Sequence, residues 1–287
     1  MANDLIATSL ILSSAVLHAS SSAVFRSDGD RLSRIGVGSI VSLPLMGAVA
    51  FFVPFPGPEV WPYLFSSLAV IVTFQLLVMK SLEFGPLSYI YPMSRGMGPV
   101  VVVLISAFYL SHVVEVKWAE VIGVSLVAIG VLEMASRGYK EAEKKHHLVL
   151  ATSLAVLSGV CIGVYTLIDA IGVKMVANPF SYIAWLMIMF GGVFLALPII
   201  ARGRRVIPIM AQELRKGLLG AILGMASYVT ALLALRLGSA VEIAALRETS
   251  IMFAVLIGYF FLGEGIGVRR LVAVSLIAVG AIVIKSF

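Results

Sequence analysis

The sequence predicts an all-α integral membrane protein of ten transmembrane helices, arranged as two inverted five-helix repeats. Three observations predict it. Hydrophobic residues make up 60% of the 287 positions and charged residues only 13%, with a mean hydropathy of +1.06; a soluble domain of that composition would expose a mostly apolar surface. The apolar residues fall in unbroken runs of roughly the 20 residues needed to cross a hydrocarbon core about 30 Å thick. Residues 62–137 are echoed by residues 215–286.

In the first repeat, taken as 1–137, the runs are Leu5–Phe25, Ser33–Val53, Trp61–Met79, Pro86–Leu110 and Val116–Ser136. A basic linker, 138–147, follows. The second repeat, 148–287, supplies Leu148–Ile168, Pro179–Ala201, Gly217–Leu235, Ser239–Leu262 and Val268–Ile284. Membrane strands would show alternating segments of about 10 residues instead. The repeat is visible residue by residue: Val121-Ile-Gly-Val-Ser-Leu-Val-Ala-Ile-Gly returns as Leu271-Val-Ala-Val-Ser-Leu-Ile-Ala-Val-Gly, and Ala7-Thr-Ser-Leu returns as Ala151-Thr-Ser-Leu. Because five is odd, the second copy enters the membrane from the opposite side, the plan of alternating-access carriers whose site lies between the repeats.

Orientation follows from Lys and Arg in the short loops. Outside helix interiors, 15 of them fall on one face, while Lys117, Lys174, Arg236 and Lys285 fall on the other. The richer face is expected in the cytoplasm, which puts both termini outside. The same loops account for the net charge of +6 without nucleic acid, since Arg202-Gly-Arg-Arg and Lys144-Lys-His-His lack interleaved aromatics and suit anionic lipid headgroups. No basic region precedes Leu5–Phe25, so it reads as a span rather than a cleaved signal. Cys161 stands alone, which excludes an internal disulfide and a thiolate metal site. No cofactor is expected.

Small-residue runs such as Gly36-x-Gly38 and Gly191-Gly192 read as close helix packing, and Pro44, Pro92, Pro99 and Pro198 as kinks. Ionisable residues at span depth are different, because each costs about 2.5–3.5 kcal/mol on insertion scales. Arg95 lies mid-span in the fourth helix. Arg247 is its repeat-mate in the ninth, aligned without a gap. Together they suit a carboxylate, phosphate or phosphonate; the competing reading is internal pairing, Arg247 with Glu242 or Glu248 and Arg95 with Glu83 or backbone carbonyls. Tyr91 precedes Arg95 by one turn and shares its face. Tyr165 and Asp169 repeat that spacing on the sixth helix. Asp169, His18 and Glu248 are candidates for coupling to a proton or a substrate amine, with helix capping and packing as the alternatives for Asp169 and His18. Gln75 and Tyr228 occupy near-equivalent positions on the third and eighth helices and are placed in the same lining. Glu133 and Glu264 lie near span ends and read as interfacial.

Tyr91-Pro-Met-Ser-Arg-Gly and Leu246-Arg-Glu-Thr-Ser-Ile-Met-Phe-Ala-Val-Leu-Ile-Gly-Tyr-Phe-Phe-Leu-Gly-Glu264 resemble the fourth and ninth helices of EamA-type proteins of the drug/metabolite transporter (DMT) superfamily. Tyr165-Thr-Leu-Ile-Asp and Leu17-His-Ala-Ser are similar to that family's sixth and first helices. The resemblance implies a ten-helix carrier of small metabolites, with a central cavity lined by helices 1, 3, 4, 6, 8 and 9. Ser111-His112 departs from the family's Gly-Glu in the first repeat, and some members of the superfamily keep both termini in the cytoplasm, opposite to the charge count.

No phosphate-binding Gly-x-x-x-x-Gly-Lys-Ser/Thr loop is present, so transport is expected to run on ion coupling, exchange or a solute gradient. The expectation is a secondary carrier of carboxylate-, phosphate- or phosphonate-bearing or amino-acid-like metabolites, and not an enzyme; the alternative is a flippase of a lipid or lipid-linked intermediate. Expected partners are the small-molecule substrate, a proton or counter-substrate, and membrane lipids, but no nucleic acid, with the chain a monomer or homodimer in a plasma membrane, specifically a bacterial inner membrane.

Overall fold

A computed structural model describes residues 2–25, 30–85, 87–109, 116–141, 148–262 and 267–286. Every regular element among them is helical: α1 (Ala2–Phe25), α2 (Arg31–Phe52), α3 (Trp61–Ser81), α4 (Leu87–Phe108), α5 (Trp118–Glu141), α6 (Leu148–Met175), α7 (Pro179–Arg202), α8 (Val206–Leu237), α9 (Ala240–Arg247), α10 (Thr249–Leu262) and α11 (Val268–Ser286), with single 3-10 turns before α3 and α8. Six stretches have the length and hydropathy of a membrane span: Ala2–Val24, Arg31–Phe52, Pro58–Ser81, Tyr89–Phe108, Leu148–Met175 and Pro179–Leu237, the last containing both α7 and α8. Ser111, His112, Glu264 and residues 142–147 of the linker lie outside the described residues.

Local chemistry sets several helix starts. The Asp30 carboxylate accepts from the Ser33 amide at 3.0 Å and opens α2; Asn178 does the same for Phe180 at 3.0 Å, with Pro179 in the first position of α7. Gly203, at φ +58°, closes α7 in a conformation that a side chain would disfavour.

Three elements differ from the sequence expectation. The run Ser239–Leu262 is broken at Glu248 into α9 and α10. There the Thr249 hydroxyl donates back to the Leu246 carbonyl at 2.7 Å and the Ile251 amide turns to the Glu248 carbonyl at 3.0 Å, a local competition that bends helices. The sixth helix runs to Met175 rather than ending near Ile168, so Asp169 lies inside it and does not cap it. The eighth, at 32 residues, is about 48 Å long, more than the hydrocarbon core needs.

The packing has a pseudo-twofold pattern. Exchanging α1–α5 in order for α6, α7, α8, α9/α10 and α11 turns the pair α1 with α8 into α6 with α3, and α4 with α6 into α9/α10 with α1, while α2 with α7 and α5 with α11 map onto themselves; all of these pairs are in contact. The α5–α11 crossing shows it at atomic scale. A Cβ on Gly130 would lie 2.7 Å from the carbonyl oxygen of Ala273, and one on Gly280 would lie 2.6 Å from that of Gly123. These are repeat-mate contacts, because Gly130 aligns with Gly280 and Gly123 with Ala273. Backbones approach this closely only where small residues allow it. Between α1 and α8, Ser14 and Ser227 each donate to the other's carbonyl, at 2.6 and 2.8 Å.

Apolar side chains cover the outside. Phe51, Phe52, Phe108 and Phe260 are among the most exposed, as a lipid solvent permits. The two ends differ in charge. At one, Lys285 of α11 bonds Asp4 of α1 (2.5 Å) and Glu242 (2.7 Å), Arg236 donates to the carbonyls of Val173 and Lys174, Lys174 donates to Gly238, and the Glu120 carboxylate accepts from the Lys117 amide and from Ser239. The four basic residues of the sparse face therefore sit together beside the first turn of α1 and the last turn of α11. At the other end, buried Arg34 donates to Glu213 at 2.7 Å and Arg202 pairs with Asp30.

Candidate functional site

The lengths and crossings of α1, α4, α6, α8 and α9 bring their polar residues to one buried cluster. Arg95 is 3% exposed and Glu248 2%, which makes any interaction between them decisive for the cost of keeping charge at this depth. Arg95 Nε lies 3.5 Å from Glu248 Oε2, an ion pair joining α4 to the α9–α10 break. The contact is not a hydrogen bond: among the described residues neither atom has a hydrogen-bonding partner. Arg95 instead donates through Nη2 to Ser250 Oγ, 3.0 Å away in the first turn of α10.

The internal pairings weighed from the sequence are therefore redistributed. Glu83 takes Lys80 at 2.5 Å rather than Arg95, Glu242 takes Lys285 rather than Arg247, and Glu248 takes Arg95. Arg247 has no carboxylate within ion-pair distance among the described residues, and its Nε has no hydrogen-bonding partner. Its guanidinium stands over the Tyr228 ring at 5.8 Å, as that of Arg95 stands over the Tyr91 ring at 5.7 Å. Each arginine thus has an aromatic face from the same cluster, a contact worth about 0.5–2 kcal/mol.

Tyr91 ties α4 to α1, its hydroxyl lying 2.9 Å from His18 Nε2 and 3.2 Å from Ser22 Oγ. His18 lies in the field of both guanidinium groups. Asp169, 1% exposed, accepts hydrogen bonds from Ser67 of α3 (2.5 Å), Tyr182 of α7 (2.8 Å) and Tyr228 of α8. Tyr228 is the link between this carboxylate and Arg247. Tyr165, one turn before Asp169, is buried against Phe74 at 6.0 Å and feels the charges of Arg95, Arg247, Asp169 and Glu248.

Of the nine residues selected from the sequence, eight converge: His18, Tyr91, Arg95, Tyr165, Asp169, Tyr228, Arg247 and Glu248. Gln75 is half-buried on α3, outside these bonds. Glu133 lies toward the end of α5, 3.9 Å from Arg269. Ser67, Tyr182, Ser22 and Ser250 belong to the network and were not singled out, since serine and tyrosine are frequent in apolar spans and only their carboxylate and arginine partners mark them.

The EamA-like transporter family matches residues 149–286. That stretch is α6 to α11 and carries Tyr165, Asp169, Tyr228, Arg247 and Glu248. Residues 149–286 belong to the EamA-like transporter family. With six stretches of span length and hydropathy, the chain is an integral membrane protein whose second half is similar to that transporter family. A solved crystal structure, described only as that of a protein, is similar over 99% of this chain and 98% of its own, with a TM-score of 0.72 at 17% identity. That likeness concerns the fold alone, and it spans α1–α5 as well as α6–α11. No curated relative matches by sequence.

Proposed function

We propose that this EamA-like protein is a secondary carrier of small organic metabolites bearing a carboxylate, phosphate or phosphonate, working by alternating access. In this reading α9 and α10 are one broken span, so the chain has ten spans in two inverted five-helix units, 1–137 and 148–287, joined by 138–147. The substrate sits between them. Broken spans at the meeting of inverted units are a recurring way to offer free backbone and helix ends to a ligand.

One observation carries the proposal: Arg247, half-buried with its Nε fully enclosed, has no carboxylate within ion-pair distance among the described residues, and it stands in the same cluster as buried Arg95, whose carboxylate contact is a loose ion pair. A buried charge left unmatched is costly, and a planar, five-donor group is matched best by a two-oxygen anion. Tyr91, Tyr165 and Tyr228 give the same place aromatic walls and hydroxyl groups.

The test is a solute screen on the purified chain. A ligand that binds the folded state raises its thermal midpoint by mass action. Small carboxylates, phosphates or phosphonates should stabilise the protein, and organic cations should not. Stabilisation by cations alone, or by lipid-linked compounds alone, would overturn this reading.

A further inference from the structure

Three acidic or titratable groups of the cluster are candidates for moving a proton, and their surroundings separate them. Asp169 already accepts three hydroxyl hydrogen bonds, from Ser67, Tyr182 and Tyr228. His18 is joined through Nε2 to Tyr91 and lies near two guanidinium groups. Of the three, Glu248 alone has a buried oxygen, Oε2, with no hydrogen-bond donor among the described residues, and it sits where the helix is already broken.

Resting on the carrier reading above, we propose that Glu248 is the resident counter-anion of Arg95, displaced by the anionic group of the substrate and leaving as a neutral carboxylic acid. The step balances. One proton from solution joins a Glu248 carboxylate oxygen, the Arg95–Glu248 ion pair opens, and an oxygen of a substrate monoanion takes its place on Arg95. The cluster begins with two guanidinium and two carboxylate groups, and its net charge ends unchanged, since a proton and a monoanion enter together. This keeps the low-dielectric site near neutrality in both states, which a bare anion would not. The 3.5 Å separation without hydrogen-bond geometry suits a pair that must exchange, whereas a bidentate pair would hold.

The groups around Glu248 are few. Arg95 faces it from α4, Tyr165 from α6 and Arg247 on its own helix, while α1 brings His18 beside both guanidinium groups. Tyr228 of α8 is committed to Asp169. On the far side α5, α10 and α11 contribute the apolar group Val127, Val131, Ile251 and Ile277.

The test uses the full chain and methanesulfonate, an oxyanion whose charge does not change across the working pH range. In the wild type its affinity should rise on acidification, approaching tenfold per pH unit where one proton is taken up per anion bound. In Glu248→Gln, which carries no titratable group there, methanesulfonate should bind with no pH dependence and at least as tightly as to acidified wild type. Should that variant fail to fold, the wild type alone decides: in weakly buffered solution, adding methanesulfonate should withdraw about one proton per anion bound. Weaker binding in Glu248→Gln, an unaltered pH slope in that variant, or no proton uptake by the wild type would overturn the proposal. Equal, pH-independent binding to both proteins would leave the anion site standing and remove the Glu248 role. No binding to either, at any pH, would remove both.

Discussion

Tyr228 joins Arg247 to Asp169: its ring lies under the guanidinium at 5.8 Å and its hydroxyl donates to the carboxylate. One side chain of α8 therefore connects Arg247, which has no carboxylate within ion-pair distance among the described residues, with a carboxylate that also gathers α3 and α7. A change at the arginine, such as arrival of an anion, bears directly on the bonds that hold three other helices together. This is the kind of contact through which binding can bias two arrangements of packed helices.

Removing that carboxylate should be costly. In Asp169→Ala the hydroxyl groups of Ser67, Tyr182 and Tyr228 lose their common acceptor while remaining largely buried, at about 1–3 kcal/mol for each group left unsatisfied. The thermal midpoint of the purified variant should fall well below that of Gln75→Ala, which touches none of these bonds. Equal midpoints for the two variants would mean that Asp169 is not the tie described here.

The α5–α11 crossing is the second sensitive point. A methyl group on Gly280 would meet the Gly123 carbonyl oxygen at 2.6 Å, whereas one on Gly192 meets nothing within 4 Å. Gly280→Ala should destabilise by about 1–3 kcal/mol, the usual cost of overpacking. Gly192→Ala should be near neutral. Thermal unfolding of the two variants side by side checks the difference, and a neutral Gly280→Ala would show that the crossing is looser than described.

Much of this arrangement is legible in the chain. The composition and the apolar runs give the helices, and the echo of Val121–Gly130 in Leu271–Gly280 anticipates a crossing whose contacts are themselves repeat-mates. Arg95, Arg247 and Asp169 stand out because charge at span depth demands a partner. Their actual partners do not stand out, since the choice of Glu248 over Glu83 for Arg95 depends on which helices touch. The break at Glu248 was missed for a related reason. It follows from hydroxyl and carbonyl competition at Thr249 inside a run that is apolar on both sides, and hydropathy does not register it. Ser67 and Tyr182 were hidden because nothing in their own neighbourhoods distinguishes them from packing residues.

Topology supplies the third prediction. The first turn of α1 and the last turn of α11 lie at the end that holds Lys117, Lys174, Arg236 and Lys285, and the sequence assigns the excess of Lys and Arg to the loops of the opposite face. A carboxy-terminal fusion to a reporter active only in the cytoplasm should be silent, and a reporter active only outside should work. Bright cytoplasmic fluorescence from such a fusion would reverse the orientation.

The arginine pair is the centre of the account, and uptake or efflux by Arg95→Lys addresses it most directly, measured with an anionic solute identified in the thermal screen. Lysine keeps the positive charge but lacks the planar fork, so transport should fall at least tenfold while the amount of protein in the membrane stays near the wild-type level. Arg247→Lys should behave in the same way. Undiminished transport in both Arg95→Lys and Arg95→Ala would contradict an anion site on these guanidinium groups.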